Sequence, residues 1–269
     1  MKNLIICGCF RSGTTILANM LAEHPEIIMT SEMFYYSKEP IAKANIAKKI
    51  ERLYKVYPDF RPPIPGSLLK DNYKKFLDYF IDRPINLSEY KQKLIELSER
   101  HNAKYFGDKL PEYTFELYRI AKKFKDAKFI FCIRDPRDVI CSQIRYYHYY
   151  MDKFGTTKPH WWTKPTIEAS IKMERNWLAH MKEWEKAKKD LNLNGYELRY
   201  FRLVENKEDE VKQLANFLEV DENKLLEIFS KRFNPYHYKE WEEKFPDITD
   251  KLPPEWIKMA RKYLGEDKI

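Results

Sequence analysis

Glycine is scarce in this chain, with 7 residues in 269. That leaves no material for a glycine-rich linker or a low-complexity tract, and none is found. Cysteine is scarcer still, at 4. Cys7, Cys9, Cys132 and Cys141 make no CxxC pair and stand in no histidine-rich cluster, so neither a zinc-ligand pattern nor a disulfide framework is written here. Three of the four fall in or beside apolar strand-like runs, and reduced, buried thiols imply a cytoplasmic setting. No segment approaches ~20 uninterrupted apolar residues, so no membrane span is expected. The first apolar run opens at Leu4 after one lysine, without the length or cleavage site of a leader.

What is present is an ordinary globular composition with a basic excess. Hydrophobic residues make up 43%, charged residues 33%, and 49 Lys and Arg face 41 acids for a net charge of +8. Aromatic residues are spread along the chain, which excludes intrinsic disorder. The positive balance favours anionic ligands and is compatible with nucleic acid or a membrane surface, but most of it sits in mixed Lys/Glu helices such as 182–189, which read as solvated faces.

Short apolar runs alternate with helical patterns. Strands are expected at 4–7, 26–30, 104–107, 127–133 and 196–201. Helices are expected at 15–23, 41–57, 68–81, 88–102, 111–124, 137–150, 166–189, 211–218 and 222–229, with a last one opened by Pro253-Pro254 and running to Leu264. Strands alternating with helices predict a three-layer α/β/α fold around a central parallel sheet. The length suits one domain over 1–269, with 41–102 as a helical insertion covering the acceptor side.

The first strand runs into Gly8-Cys9-Phe10-Arg11-Ser12-Gly13-Thr14-Thr15, followed by Ile16, Leu17, Met20 and Leu21 at helical spacing. A strand, a glycine-bounded turn and a helix N-terminus gather backbone N–H groups and positive partial charge around a phosphate. The Walker A pattern is G-x-x-x-x-G-K-[ST]. Here Thr14 replaces the lysine that would reach β- and γ-phosphates, and Arg11 lies within the loop. The strand expected at 127–133 ends in Arg134 instead of the metal-binding aspartate a triphosphatase would want, although Asp135 follows.

Phe10-Arg11-Ser12-Gly13-Thr14-Thr15-Ile16-Leu17, with Ala22-Glu23-His24-Pro25 after it, resembles the 5′-phosphosulfate loop of sulfotransferases, most closely the carbohydrate and tyrosylprotein branches. Phe131-Cys132-Ile133-Arg134-Asp135-Pro136-Arg137-Asp138-Val139-Ile140-Cys141-Ser142 resembles the 3′-phosphate motif of the same family. The resemblance implies a P-loop-type sulfotransferase fold and 3′-phosphoadenosine 5′-phosphosulfate as donor, with no metal. It assigns Arg11, Ser12, Gly13, Thr14 and Thr15 to the 5′ side and Arg134 and Ser142 to the 3′-phosphate. A guanidinium and a hydroxyl at the C-terminal edge of a sheet suit a dianion. Gly107-Asp108-Lys109-Leu110-Pro111 resembles the family's G-[DE]-K-T-P segment with Leu110 in place of threonine. Leu198-Arg199-Tyr200-Phe201-Arg202-Leu203 resembles its R-Y-E-D-L segment, which places Tyr200 near adenine. Lys239-Glu240-Trp241 resembles a late W-[RK] segment near the nucleotide.

Sulfo transfer needs cations at the leaving group and a base at the acceptor. Arg11 and Lys109 are the expected cations; Lys109 as an exposed lysine paired with Asp108 is the alternative. Arg134 has its own alternative, a strand-terminal salt bridge with Asp108 or Asp138. Glu32 is the expected base, in a Thr30-Ser31-Glu32-Met33-Phe34-Tyr35 segment that resembles the branch using a glutamate there. His24 is a rival, more simply read as a helix stop before Pro25, and His101 ends a charged helix. Tyr146, Tyr147, His148, Tyr149 and Tyr150, with His160, Trp161 and Trp162, form an aromatic group able to line an acceptor pocket for a carbohydrate or other small molecule. Two other functions stay open: a P-loop small-molecule kinase or triphosphatase, and a non-catalytic protein holding polyanions. Nucleic acid is not an expected partner.

Overall fold

The computed structural model describes residues 1–32, 36, 92–93, 95–96, 99–100, 102–154, 166–235 and 237–269. The helices expected at 41–57 and 68–81, most of that at 88–102, His101, and the loop with Gly155, Pro159, His160, Trp161 and Trp162 lie outside the described residues.

Five strands form one parallel sheet: β1 (Lys2–Gly8), β2 (Ile27–Ser31), β3 (Tyr105–Lys109), β4 (Lys128–Ile133) and β5 (Gly195–Arg199), in the order β2-β3-β1-β4-β5. Burial on both faces explains why β1 and β4 read as unbroken apolar runs. Alternate residues separate the two cores. Ile5, Cys7, Phe129 and Phe131 pack with helices α2 (Leu117–Lys123), α3 (Pro136–Phe154), α5 (Trp177–Leu191) and α9 (Pro254–Leu264). Leu4, Ile6, Ile130 and Cys132 pack with α1 (Thr14–Leu21), α7 (Lys207–Leu218) and α8 (Glu222–Arg232). The result is the expected three-layer α/β/α architecture. Among the described residues no helix is long and apolar enough to cross a membrane.

Several boundaries differ from the sequence reading. The helix expected over 111–124 begins as a 3-10 turn at Pro111–Glu116 before α2. The one expected over 166–189 is broken into α4 (Ile167–Lys172) and α5, because Asn176 caps α5 by accepting from the Ala179 amide at 2.9 Å. The last strand stops at Arg199, and Tyr200 opens the short helix α6 (Tyr200–Glu205). In the other direction, β3 runs two residues past Gly107 and carries Asp108 and Lys109 into the sheet, both buried.

The chain moves from β1 to one side for β2 and β3, then to the other for β4 and β5. That reversal opens a crevice at the carboxyl ends of the central strands. Each strand delivers an expected site residue at that edge: the glycine loop after β1, Glu32 after β2, Lys109 ending β3, Arg134 after β4 and Tyr200 after β5.

Candidate active site

The loop after β1 is held tightly from behind. Gly8 has φ 137°, and a Cβ there would stand 2.6 Å from the Cys132 carbonyl oxygen. Its amide donates to Thr114 Oγ1 at 3.2 Å. Gly13, at φ 91°, is the N-cap of α1, and its missing Cβ makes room for the Tyr200 ring, which a methyl would meet at 2.9 Å. The first turn of α1 contains no acidic side chain to offset its positive end. Ser12 Oγ is buried with no hydrogen-bond partner among the described residues, a donor and acceptor of the kind a bound anion or a loop shift would satisfy. These features fit a phosphate-type ligand.

Arg134 does not project freely from β4. It is buried, with Cζ 4.5 Å from the Tyr200 ring centroid, Nη1 donating to the Arg11 carbonyl at 3.1 Å and Nη2 to the His237 carbonyl at 3.2 Å. Of its two possible acidic neighbours it faces Asp138, at 3.5 Å. Burial pushes the Asp138 carboxyl up to about 6, with the Arg134 charge opposing. One ring, Tyr200, therefore touches both the glycine loop and the arginine of the second motif.

Ser142 joins the two motifs directly. Its Oγ accepts from Arg11 Nε at 3.2 Å and from Arg145 Nη2 at 3.3 Å. The Arg11 guanidinium also lies over the Tyr146 ring at 4.5 Å. Tyr146 is thus part of the site through Arg11, whereas Tyr147 packs edge-on against His148 and Tyr149 is exposed.

At the neighbouring strand ends, Lys109 Nζ stands 2.6 Å from Glu32 Oε1, with the lysine side chain 1% exposed and the glutamate 39%. The Glu32 amide donates to the Lys109 carbonyl at 2.5 Å, and Glu32 sits in left-handed backbone at φ 57°, a strain that persists where surroundings fix it. Asp108, next door, instead accepts from Thr30 Oγ1 at 2.7 Å and Tyr113 Oη at 2.6 Å. The reading of Lys109 as an exposed lysine is overturned by this burial, and its partner is Glu32. Glu112 follows on the 3-10 turn; burial raises its carboxyl, with the Glu32 charge adding to the effect. His24 lies before β2, at the opposite end of the sheet from these strand ends, where its Nδ1 accepts from the Glu26 amide at 3.3 Å.

Sequence reasoning gave no role to Arg145, Glu112 or Glu240. Arg145 was within reach, being one helical turn beyond Ser142. Glu240 stands in the Lys239-Glu240-Trp241 segment that resembles a late W-[RK] stretch near the nucleotide, but nothing in that pattern gave the glutamate a role of its own.

A five-stranded parallel sheet with a glycine loop after β1 and cationic groups along the carboxyl edge defines an α/β protein with a basic crevice at its strand ends. Residues 3–224 match the Sulfotransferase family, and the chain belongs to that family. Its fold is that of solved sulfotransferases. The sulfotransferase domain from the curacin biosynthetic pathway matches at 18% identity and TM-score 0.58, over 97% of each chain. The sulfotransferase domain of the Synechococcus PCC 7002 olefin synthase matches at 17% and 0.56, over 97% of this chain and 94% of that one. Mouse sulfotransferase SULT7A1, complexed with PAP, matches at 15% and 0.52, over 98% and 84%. In sequence, an uncharacterized protein of Aquifex aeolicus is 23% identical over 237 residues, 85% of this chain; that match spans 27% of the relative's length.

Proposed function

We propose that this protein moves a sulfo group from 3′-phosphoadenosine 5′-phosphosulfate to the hydroxyl of a small-molecule acceptor, with carbohydrate the favoured class. The observation that carries the reading is the 3.2 Å contact of Arg11 with Ser142, which brings the glycine loop and the second motif into one cationic site. A loop with Thr14 in place of the Walker lysine, beside a second set of anion donors, suits a nucleotide with separate 5′ and 3′ phosphates better than ATP. The mouse enzyme complexed with PAP supports the same donor.

In this reading Ser12, Gly13, Thr14 and Thr15 hold the 5′ side, Arg134 and Ser142 the 3′-phosphate, and Tyr200 the adenine end. Glu32 takes the acceptor proton as the acceptor oxygen bonds to sulfur and the sulfur–oxygen bond to the 5′-phosphate breaks. Arg11 and Lys109 meet the charge that develops on the departing phosphate oxygen. Lys109, already 2.6 Å from Glu32, orients the carboxylate before the acceptor arrives.

The test is turnover with sulfur-labelled donor against a panel of carbohydrates and other hydroxyl compounds. Label appearing in an acceptor supports the reading. Phosphoryl transfer from Mg-ATP to the same acceptors, without sulfo transfer, would replace it with a kinase.

A further inference from the structure

The segment after α8 crosses the second motif at three points. The His237 carbonyl accepts from Arg134, the Lys239 amide donates to the Asp138 carboxylate at 2.9 Å, and the Glu240 carboxylate forms an ion pair with Arg145. Lys239 lies in left-handed backbone at φ 58°, so these contacts hold the segment in a conformation a lysine seldom adopts unaided.

The pairing at Arg145 matters most. Arg145 and Ser142 share a face of α3. The two Nη atoms of Arg145 form the fork with which arginine grips a phosphate bidentately. Here Nη1 is taken by Glu240 and Nη2 by Ser142, which also accepts from Arg11. Glu240 is mostly buried and is held further by Lys244 and by His237 Nδ1 at 3.1 Å. Burial works against its ionised form, but the Lys244 hydrogen bond and the Arg145 charge outweigh that and keep the carboxyl below the usual carboxylate range. A carboxylate is therefore seated among the cations and hydroxyl where the donor reading puts a phosphate.

We propose that Glu240 is a built-in competitor of the 3′-phosphate: it holds Arg145 until a 3′-phosphate displaces it, and it retakes Arg145 as the spent bisphosphate leaves. This rests on the donor reading above and adds Arg145 to the phosphate's ligands. A phosphate dianion, with three acceptor oxygens, outcompetes a single carboxylate for the fork. A 5′-nucleotide with no 3′-phosphate leaves the Arg145–Glu240 pair untouched. The carboxylate thereby weakens product binding and hastens a release step that often limits turnover.

Calorimetry on the full chain with adenosine 3′,5′-bisphosphate and with AMP tests this. Glu240→Gln is expected to tighten bisphosphate binding roughly tenfold, within the usual range of coupled equilibria, and to leave AMP unchanged. Arg145→Gln is expected to weaken bisphosphate alone, and in the Arg145→Gln background Glu240→Gln should no longer matter. Glu240→Asp, which withdraws the carboxylate while keeping its charge, should also tighten bisphosphate and serves if the glutamine variant folds poorly. Bisphosphate affinity that falls or stays the same in both Glu240 variants would make Glu240 a brace for Arg145 and overturn the proposal. A wild-type protein that binds bisphosphate no better than AMP would instead remove the donor reading, and this inference with it.

Discussion

Lys109 ends β3 with its ammonium buried and 2.6 Å from the carboxylate of Glu32, which follows the adjacent strand β2. The two residues are far apart in sequence and meet because Ser31 and Lys109 are register partners in the parallel ladder. The contact follows from the strand register, so the pair is built into the sheet edge. Glu32→Gln is expected to lower turnover by about 10²–10⁴-fold, the usual span for loss of a general base, while bisphosphate affinity measured by calorimetry stays at the wild-type value. Retained turnover would remove Glu32 as the base.

Gly13 is closely specified. Gly13→Ala places a Cβ 2.9 Å from the Tyr200 ring at φ 91°, so the loop or the ring must move. The variant is expected to lose about 1–3 kcal/mol of stability, read from denaturant unfolding, and to bind bisphosphate poorly.

Tyr200 packs on Gly13 and under the Arg134 guanidinium. Tyr200→Phe keeps the ring face and should retain bisphosphate affinity. Tyr200→Ala removes it and should cost roughly 1–2 kcal/mol of binding, the scale of a desolvated cation–π contact. Equal loss in both variants would assign the effect to the hydroxyl instead.

His180 on α5 is buried between Phe10 and Phe115, with neither ring nitrogen hydrogen-bonded among the described residues. Burial pushes its pKa down to about 3, with the Arg175 charge acting in the same sense. The folded protein therefore resists a proton that the unfolded chain takes up near pH 6.5. Stability is full above that pH and declines as pH falls from about 6.5 toward 3. His180→Phe is expected to flatten that part of the stability–pH curve, measured by chemical unfolding at stepped pH; an unchanged slope would place the acid sensitivity elsewhere.

The order of strands and helices was legible because doubly covered strands leave apolar runs such as Leu4–Cys7 and Phe129–Ile133 and because glycines bracket the loop. Glu32, Lys109, Arg134 and Tyr200 were legible as a set only through their resemblance to one family; the sheet explains the set by placing each at a strand's carboxyl end. Break points were not legible. Asn176 splits 166–189 through a local side-chain cap on the Ala179 amide, which the apolar spacing does not mark, and Tyr200, inside an apolar run that reads as strand, opens α6. The Arg145–Glu240 pair was hidden because it joins a helix to a segment 95 residues away.

The central claim is a site for two separate phosphates, and titration calorimetry tests it most directly. Wild-type protein is expected to bind adenosine 3′,5′-bisphosphate more tightly than ADP or AMP by roughly tenfold to a hundredfold, the worth of hydrogen bonds to a charged group. Arg134→Ala and Ser142→Ala should each erase most of that advantage. ADP binding as tightly as the bisphosphate, or full bisphosphate affinity surviving in Arg134→Ala, would contradict it.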